Sequence, residues 1–249
     1  MKPYQQVPIQ DCNEPLVFIP SQDFVLETPH PYEKLGAPYG DRSPYVLRQG
    51  VLERLIAAQQ HLEVLRPGWR ILVFDAYRPV AVQQFMVDYT FMELVRSHNR
   101  IPAELTEPER QNFWQQVYQF WAVPNLDPHT PPPHSTGAAI DVSLVDETGA
   151  VVDMGSPIDE VSPRSFPNAF AAAADPNSAT YDAAIAPFHQ RRQLLHEVMT
   201  RAGFRRHLEE WWHFSYGDQM WVWLGMQMGE PAQAAIYGRV MDAENSVIA

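Results

Sequence analysis

The spacing of hydrophobic residues predicts four helices. From about Val46, apolar side chains recur at helical intervals, and the segment RPG (66–68) ends this first helix. Pro79 opens a second helix, VAVQQFMVDYTFMELVRSH, and EPERQNFWQQVYQFWA is the third. The fourth is PFHQRRQLLHEVMTRAGF, which ends near Gly203. The apolar positions of the first helix are Leu47, Val51, Leu55, Ala58, Leu62 and Leu65.

Short apolar runs between these helices predict strands. WRILVFDAYRP and EEWWHFSYG have strand character, and AIDVSLVDETGAVVD is typical of a hairpin around Asp-Glu-Thr-Gly. The proline-rich segment before residue 46 favours loops and edge strands wrapped around a core. We therefore expect a single α+β domain over residues 1–249, with a small, mainly antiparallel sheet and flanking helices. Residues 1–45 would form a loop-rich N-terminal wrap, and residues 230–249 a C-terminal tail of unknown role.

Composition narrows the classes of protein. The 249 residues are 45% hydrophobic and 12% aromatic, enough for a packed core. Thirty acidic residues against 18 basic ones give a net charge of −12, which opposes nucleic-acid phosphates and acidic membrane surfaces. The single cysteine, Cys12, cannot form an internal disulfide. Neither a signal-peptide core nor a run of ~18 apolar residues is present. We expect a soluble cytoplasmic protein without nucleic-acid or membrane partners.

The loop PPPHSTGAAIDVSL places His134 seven positions before Asp141, at the start of a predicted strand. A loop shaped by proline and glycine can be folded around an ion, so the two residues could share a metal site. A loop histidine and an unrelated strand carboxylate explain the same spacing. Taken alone, the pair leaves both interpretations open.

A second pair, Glu210 and His213, brackets two tryptophans in EEWWHFSYG. Residues three apart in a regular strand point to opposite faces, so these two can share a site only if a turn or bulge intervenes or if Glu210 precedes the regular pairing. A core strand with polar ends is the alternative. His134, Asp141 and His213 together would suit Zn²⁺ with one position open for water, leaving Glu210 as an unligated base.

The remaining histidines do not extend this set. HEVMT (196–200) begins like the helical zinc motif, but Thr200 stands where the second histidine ligand belongs. Six other histidines have no partner at ligand spacing and are interpreted as exposed or structural. These are His30, His61, His98, His129, His189 and His207.

Arg78 follows the strand of WRILVFDAYRP and precedes Pro79, which disfavours helical geometry at the arginine. At this strand end its guanidinium could project into a cleft. A surface salt bridge with Asp75 is the alternative, and the spacing permits both.

Four motifs in this order, FDAYRP, HSTGAAIDVSL, DMGSPIDEVSPRS and EWWHFSYGD, resemble the VanX-type D-alanyl-D-alanine dipeptidases, zinc peptidases of family M15. The resemblance spans about residues 73–218. It implies one Zn²⁺ per chain, held by a His-Asp-His set, with a glutamate as general base and an arginine that stabilises the transition state. It also implies an acidic residue that binds the substrate ammonium. The segment DMGSPIDE offers Asp153, Asp159 and Glu160 for this role, and the resemblance favours Asp159. The other implied residues are His134, Asp141 and His213 for the metal, Glu210 for the base and Arg78 for the transition state.

The resemblance implies hydrolysis of a small-molecule dipeptide, D-Ala-D-Ala, to D-alanine by zinc-bound water. Pro132 stands where the family usually has a serine that helps to bind substrate, so the length limit of the substrate is open. A D,D- or L,D-carboxypeptidase acting on longer cell-wall peptides is one alternative. A non-catalytic protein that binds zinc or wall fragments is another, although such a protein would need neither Glu210 nor Arg78. The sequence does not indicate an oligomeric state.

Overall fold

The computed structural model describes residues 2–241 and has the expected α+β fold. Within that range the α-helices are α1 (Pro31–Lys34), α2 (Gln49–Leu65), α3 (Val80–Ser97), α4 (Glu107–Phe120), α5 (Ala171–Ala174), α6 (Ala186–Arg201) and α7 (Gln219–Gln227). The strands are β1 (Leu16–Phe18), β2 (Val25–Leu26), β3 (Val46–Arg48), β4 (Arg70–Asp75), β5 (Ala139–Val145), β6 (Arg205–Arg206) and β7 (His213–Ser215). No helix in this part of the chain is long and apolar enough to cross a membrane.

The main sheet has five strands in the order β2-β4-β5-β7-β6. Only the β2–β4 pair is parallel, so the prediction of a small, mainly antiparallel sheet is confirmed. Strands β1 and β3 form a separate antiparallel pair. The central strands are short but buried along their whole length at β5 and β7, as expected for strands covered on both faces.

One face of the main sheet carries the hydrophobic core. Ile71 and Val73 of β4 and Ile140 and Val142 of β5 alternate toward this face, where α2 and α6 pack. A second apolar cluster lies between α3 and α4 and includes Phe91 and Phe113. The opposite face of β5 therefore presents its odd-numbered residues, among them Asp141, away from the main core.

A register shift in β4 changes which residue faces Asp141. Val73 pairs with Val142, so regular alternation would place Phe74 opposite Asp141. The structure instead pairs Asp75 with Asp141, because one extra residue is inserted in β4 between Val73 and Asp75. A bulge of this kind re-aims a side chain, here bringing Asp75 to the face of Asp141.

The four predicted helices are present, but the first begins later than the periodicity suggested. Val46–Arg48 is a strand that pairs with Leu16–Phe18, and the helix begins at Gln49. The backbone N–H of Arg48 donates to the carbonyl of Gly137 at 2.9 Å. Leu47 is buried, as the helical pattern required, but its backbone is extended. Hydrogen bonds to β1 and Gly137, which are distant in sequence, override the local helical pattern.

The predicted hairpin forms only in part. The Asp146 side chain accepts hydrogen bonds from the backbone of Thr148 and Ala150, which closes the turn. The returning arm is reduced to a bridge between Val145 and Val151, because the chain turns away at Asp153.

Both ends of the described chain pack against the body of the protein. In the N-terminal wrap, β2 lies at an edge of the main sheet and β1 pairs with β3. From the C-terminal tail, Ala235 forms a bridge with Ile9, and Tyr237 is buried in the main core. Residues 242–249 of the predicted tail lie outside the described residues.

Candidate functional site

Sheet register brings Asp141 and His213 side by side. Asp141 of β5 pairs directly with His213 of β7, and Asp141 Oδ1 lies 3.0 Å from His213 Nδ1. Both side chains are buried on the sheet face opposite the main core. The two residues are separated by 72 positions in the sequence, and the β5–β7 register is what joins them.

His134 reaches the same point from a 3₁₀ turn, Pro133–Thr136, that leads into β5. Its Nδ1 donates a hydrogen bond to the carbonyl of Ala76 at 2.7 Å. The unprotonated Nε2 therefore points its lone pair at Asp141 and His213. Nε2 lies 3.1 Å from His213 Nδ1 and 3.3 Å from Asp141 Oδ2. Gly137 ends the turn at φ +70°, where a Cβ would come within 2.5 Å of Leu16 Cδ2.

The donor atoms of His134, Asp141 and His213 all lie within 4.8 Å of one another. Two imidazole nitrogens and a carboxylate oxygen form a three-ligand set typical of catalytic zinc sites, and the fixed tautomer of His134 supplies the lone pair that a ligand needs. Burial opposes ionisation of Asp141, but the two histidines hold its pKa well below the usual range. The carboxylate is therefore charged, and the cluster could bind a metal ion.

Glu210 lies in the loop just before β7, so the geometric condition set by the sequence is met. Its side chain is buried, with Oε2 3.8 Å from His213 Nδ1 and Oε1 3.9 Å from His207 Nδ1. Burial and the nearby Asp141 carboxylate raise the pKa of Glu210 well above its usual value. The glutamate thus stands beside the cluster without belonging to the three-residue group.

Arg78 is buried just after β4. It combines the two arrangements considered from the sequence, a guanidinium at a cleft and a salt bridge with Asp75. It does pair with Asp75, with Nη2 2.6 Å and Nε 3.0 Å from Asp75 Oδ2, but this pair is in the interior rather than at the surface. Nη1 donates to Gln83 Oε1 at 2.9 Å, and Nη2 also donates to the Tyr32 hydroxyl at 3.1 Å. The guanidinium also lies 3.4 Å from Asp141 Oδ2, so it borders the cluster.

Asp159 approaches from the loop after residue 153, in a left-handed backbone conformation with φ +64°. Its Oδ2 accepts a hydrogen bond from the Tyr32 hydroxyl at 2.7 Å. Burial, reinforced by the Asp141 carboxylate, raises the pKa of Asp159 to about 7. The other two acids of this segment are engaged elsewhere, because Asp153 caps the N–H of Gly155 and Glu160 pairs with Arg164.

The side chains named for the site converge on one small cavity. Its volume is about 40 Å³, which is far less than a typical drug-sized site offers. Six of its lining residues were singled out from the sequence: Arg78, His134, Asp141, Asp159, Glu210 and His213.

Sequence reasoning missed several residues at and behind this cavity. Lys2 and His207 line it, although His207 was grouped with exposed or structural histidines. Tyr32 donates a hydrogen bond to Asp159 from behind the cavity. Behind Arg78 lies Asp75, which the sequence had offered as a surface partner of the arginine, and His30 contacts Asp75 at 3.1 Å. Nothing in the local sequence marks Lys2 or Tyr32, because each reaches the site from a distant segment.

The chain is similar to known proteins over most of its length. A family model described as peptidase M15, D-ala-D-ala dipeptidase, matches residues 26–229. A D-alanyl-D-alanine dipeptidase of Synechocystis sp. is 52% identical over 241 residues, covering 96% of this chain and 97% of that protein. A D-alanyl-D-alanine dipeptidase of Escherichia coli is 30% identical over 148 residues, which is 59% of this chain and 55% of that protein. One from Enterococcus faecium is 28% identical over 154 residues, covering 61% and 64%. The resemblance drawn from the four motifs is confirmed, and the chain belongs to the D-Ala-D-Ala dipeptidase family of peptidases, M15.

Proposed function

We propose that this protein hydrolyses the dipeptide D-Ala-D-Ala to two molecules of D-alanine, with one Zn²⁺ held by His134, Asp141 and His213. The observation that carries the proposal is the buried His-Asp-His cluster, which shares a small cavity with Glu210 and Arg78. Its support from relatives is the D-alanyl-D-alanine dipeptidase that the chain matches over 97% of that protein's length.

The three ligands would bind through His134 Nε2, His213 Nδ1 and the Asp141 carboxylate, the atoms that face one another. When bound, zinc supplies Lewis acidity to the scissile carbonyl and to the attacking water. The Ala76 carbonyl keeps the His134 imidazole oriented, and the sheet register keeps Asp141 and His213 together. Preorganised ligands of this kind bind without a large rearrangement of the backbone.

Glu210 would act as the general base. Its carboxylate accepts a proton from the attacking water and passes it to the amine of the departing D-alanine. Burial and the Asp141 carboxylate raise the pKa of Glu210 and so favour its neutral form. A cation bound by the ligand cluster would instead favour the ionised form, which can accept a proton.

Arg78 would stabilise the oxyanion that develops on the scissile carbonyl. Asp75 and Gln83 hold its guanidinium in place, so the charge needs no reorganisation during the reaction. Asp159 would pair with the free ammonium of the dipeptide, and Tyr32 holds that carboxylate by a hydrogen bond. Together these residues would recognise both the reacting carbonyl and the amino end of the substrate.

Asp159 lines the cavity and would pair with an ammonium close to the scissile bond, which favours this proposal over a carboxypeptidase acting on long cell-wall peptides. A protein that only binds zinc or wall fragments would need neither a buried Glu210 nor Arg78 held by Asp75. The cytoplasmic location expected from the sequence stays a prediction.

The test combines metal analysis with a turnover assay on the purified protein. We expect about one zinc per chain, release of D-alanine from D-Ala-D-Ala, and loss of this activity on chelation with recovery on adding zinc. Glu210→Gln should keep the zinc and lose nearly all kcat, because the amide is almost the same size but cannot accept the proton. Appreciable turnover by this variant would assign the base elsewhere, and failure of the wild type to cleave the dipeptide would refute the proposal.

A further inference from the structure

The N-terminal segment, residues 2–7, is packed beside the cavity by specific contacts. Tyr4 is buried against Met220 and Leu224 at α7. The side-chain amide of Gln219 donates to the Val7 carbonyl at 2.6 Å. The 3₁₀ turn of this segment is closed by a hydrogen bond from the Lys2 N–H to Gln5 Oε1 at 2.8 Å. These contacts deliver the Lys2 side chain to the cavity wall.

Lys2 brings a cation to this wall of the cavity, beside the carboxylate of Glu210. It lines the cavity together with Glu210, and within residues 2–241 its ammonium makes neither a hydrogen bond nor an ion pair. Burial lowers the pKa of Lys2, while the carboxylates of Glu210 and Glu209 act in the opposite direction. Lys2 is half-buried. A ligand that fills the cavity would remove water from its ammonium, which is costly unless the ligand supplies an anion to pair with it.

Beside the ligand cluster, the cavity is lined by both acidic and basic side chains. Asp159 lies with Tyr32 and Arg78, and the groups that act on its charge are Asp141, Arg78 and Asp75. Lys2 interacts instead with Glu210 and Glu209. An anionic group near the base and an ammonium near Asp159 would therefore each meet an opposite charge.

We infer that Lys2 binds the free carboxylate of the C-terminal residue of the substrate. This inference rests on the proposed function, in which Glu210 delivers a proton to the amine of the departing residue. A single carbon atom separates that amine from the carboxylate of the same residue, so the carboxylate must lie close to Glu210. Two carboxylates would repel each other there, and the ammonium of Lys2 offsets this repulsion. Lys2 is thus a specificity-determining residue for a free C-terminus, as Asp159 is for a free N-terminus.

The test compares D-Ala-D-Ala with its C-terminal amide, which lacks the negative charge. Wild type should prefer the acid. Lys2→Met should raise KM for the acid about 10- to 100-fold, because a hydrogen bond between charged groups is lost, and should bring kcat/KM for the acid and the amide close together. Lys2→Arg keeps the charge and should keep most of the preference.

The chain offers a matched control, because its second lysine, Lys34, is exposed on α1. Lys34→Met removes the same charge and should leave KM for both substrates unchanged. If Lys2→Met slows the acid and the amide by the same factor, Lys2 acts on the base or on folding, and the inference is wrong.

Calorimetric binding to Glu210→Gln protein separates this inference from the proposed function. With turnover blocked, adding Lys2→Met should weaken binding of D-Ala-D-Ala about 10- to 100-fold and leave binding of the amide nearly unchanged. Equal binding of the acid with and without Lys2 overturns the role of Lys2, whatever the wild type hydrolyses. Absence of D-Ala-D-Ala hydrolysis by the wild type would instead refute the proposed function.

Discussion

Replacing Asp75 with alanine should both destabilise the protein and slow hydrolysis, because this fully buried carboxylate holds Arg78. Its Oδ2 accepts two hydrogen bonds from Arg78, at 2.6 and 3.0 Å. Its Oδ1 accepts from His30 Nε2 at 3.1 Å and from the Tyr39 hydroxyl at 3.2 Å. His30 Nδ1 accepts from the Tyr32 N–H, so the ring proton lies on Nε2 and is donated to Asp75. One substitution therefore removes the acceptor of four hydrogen bonds.

Removing one partner of a buried ion pair typically costs about 3–5 kcal/mol. Arg78 would keep Gln83 and Tyr32 as acceptors and Asp141 at 3.4 Å, so its charge is not left wholly uncompensated. We therefore expect the lower half of that range, about 3–4 kcal/mol, which corresponds to a fall in Tm of about 6–16 °C for a chain of this size. Because a misplaced guanidinium stabilises the transition state poorly, kcat should fall by about 100-fold or more.

Denaturant unfolding, thermal melts and steady-state kinetics on zinc-loaded protein measure these effects. Asp23→Ala is the control, because Asp23 is exposed, and it should change the free energy of unfolding by less than about 0.5 kcal/mol. Asp75→Ala should be less than additive with Arg78→Met, by about 1–3 kcal/mol, since both changes remove the same interaction. Strict additivity, or a loss of less than about 1 kcal/mol for Asp75→Ala, would refute the reasoning.

Further predictions concern the metal and the amino end of the substrate. Alanine at any one of the three proposed ligands should sharply lower the zinc content measured by elemental analysis, and full occupancy in all three variants would contradict the assignment. Asp159→Ala should keep zinc but impair hydrolysis of D-Ala-D-Ala, and N-acetylation of the dipeptide should nearly abolish turnover by the wild type. Efficient cleavage of acetylated or wall-length peptides would favour a carboxypeptidase instead. Because the pKa of Asp159 is raised to about 7, its ionised form is lost as pH falls through that value. KM should therefore rise at lower pH in the wild type, and this dependence should disappear in Asp159→Ala. The three variants to be analysed for zinc content are His134→Ala, Asp141→Ala and His213→Ala.

Local patterns in the sequence determined the type of most elements. A helix is specified by side chains three and four positions apart, so α3, α4 and α6 were predicted to within a few residues. The four ordered motifs likewise identified the family and six residues that line the cavity, because each motif keeps its chemistry within a few positions. The strand EEWWHFSYG was predicted too long, since regular pairing begins only at His213.

The arrangement of the site was decided by contacts between distant segments. Strict alternation would put Asp75 on the core face with Ile71 and Val73, and only the bulge opposite β5 turns it toward Asp141. Lys2 reaches the cavity because Tyr4 and Val7 pack near α7, more than two hundred positions along the chain. Strand register and the docking of a terminal segment depend on pairings that local hydrophobic spacing does not encode. For that reason the sequence by itself determined which residues we propose for the chemistry, whereas tertiary packing alone determined what holds them and which other side chains line the cavity.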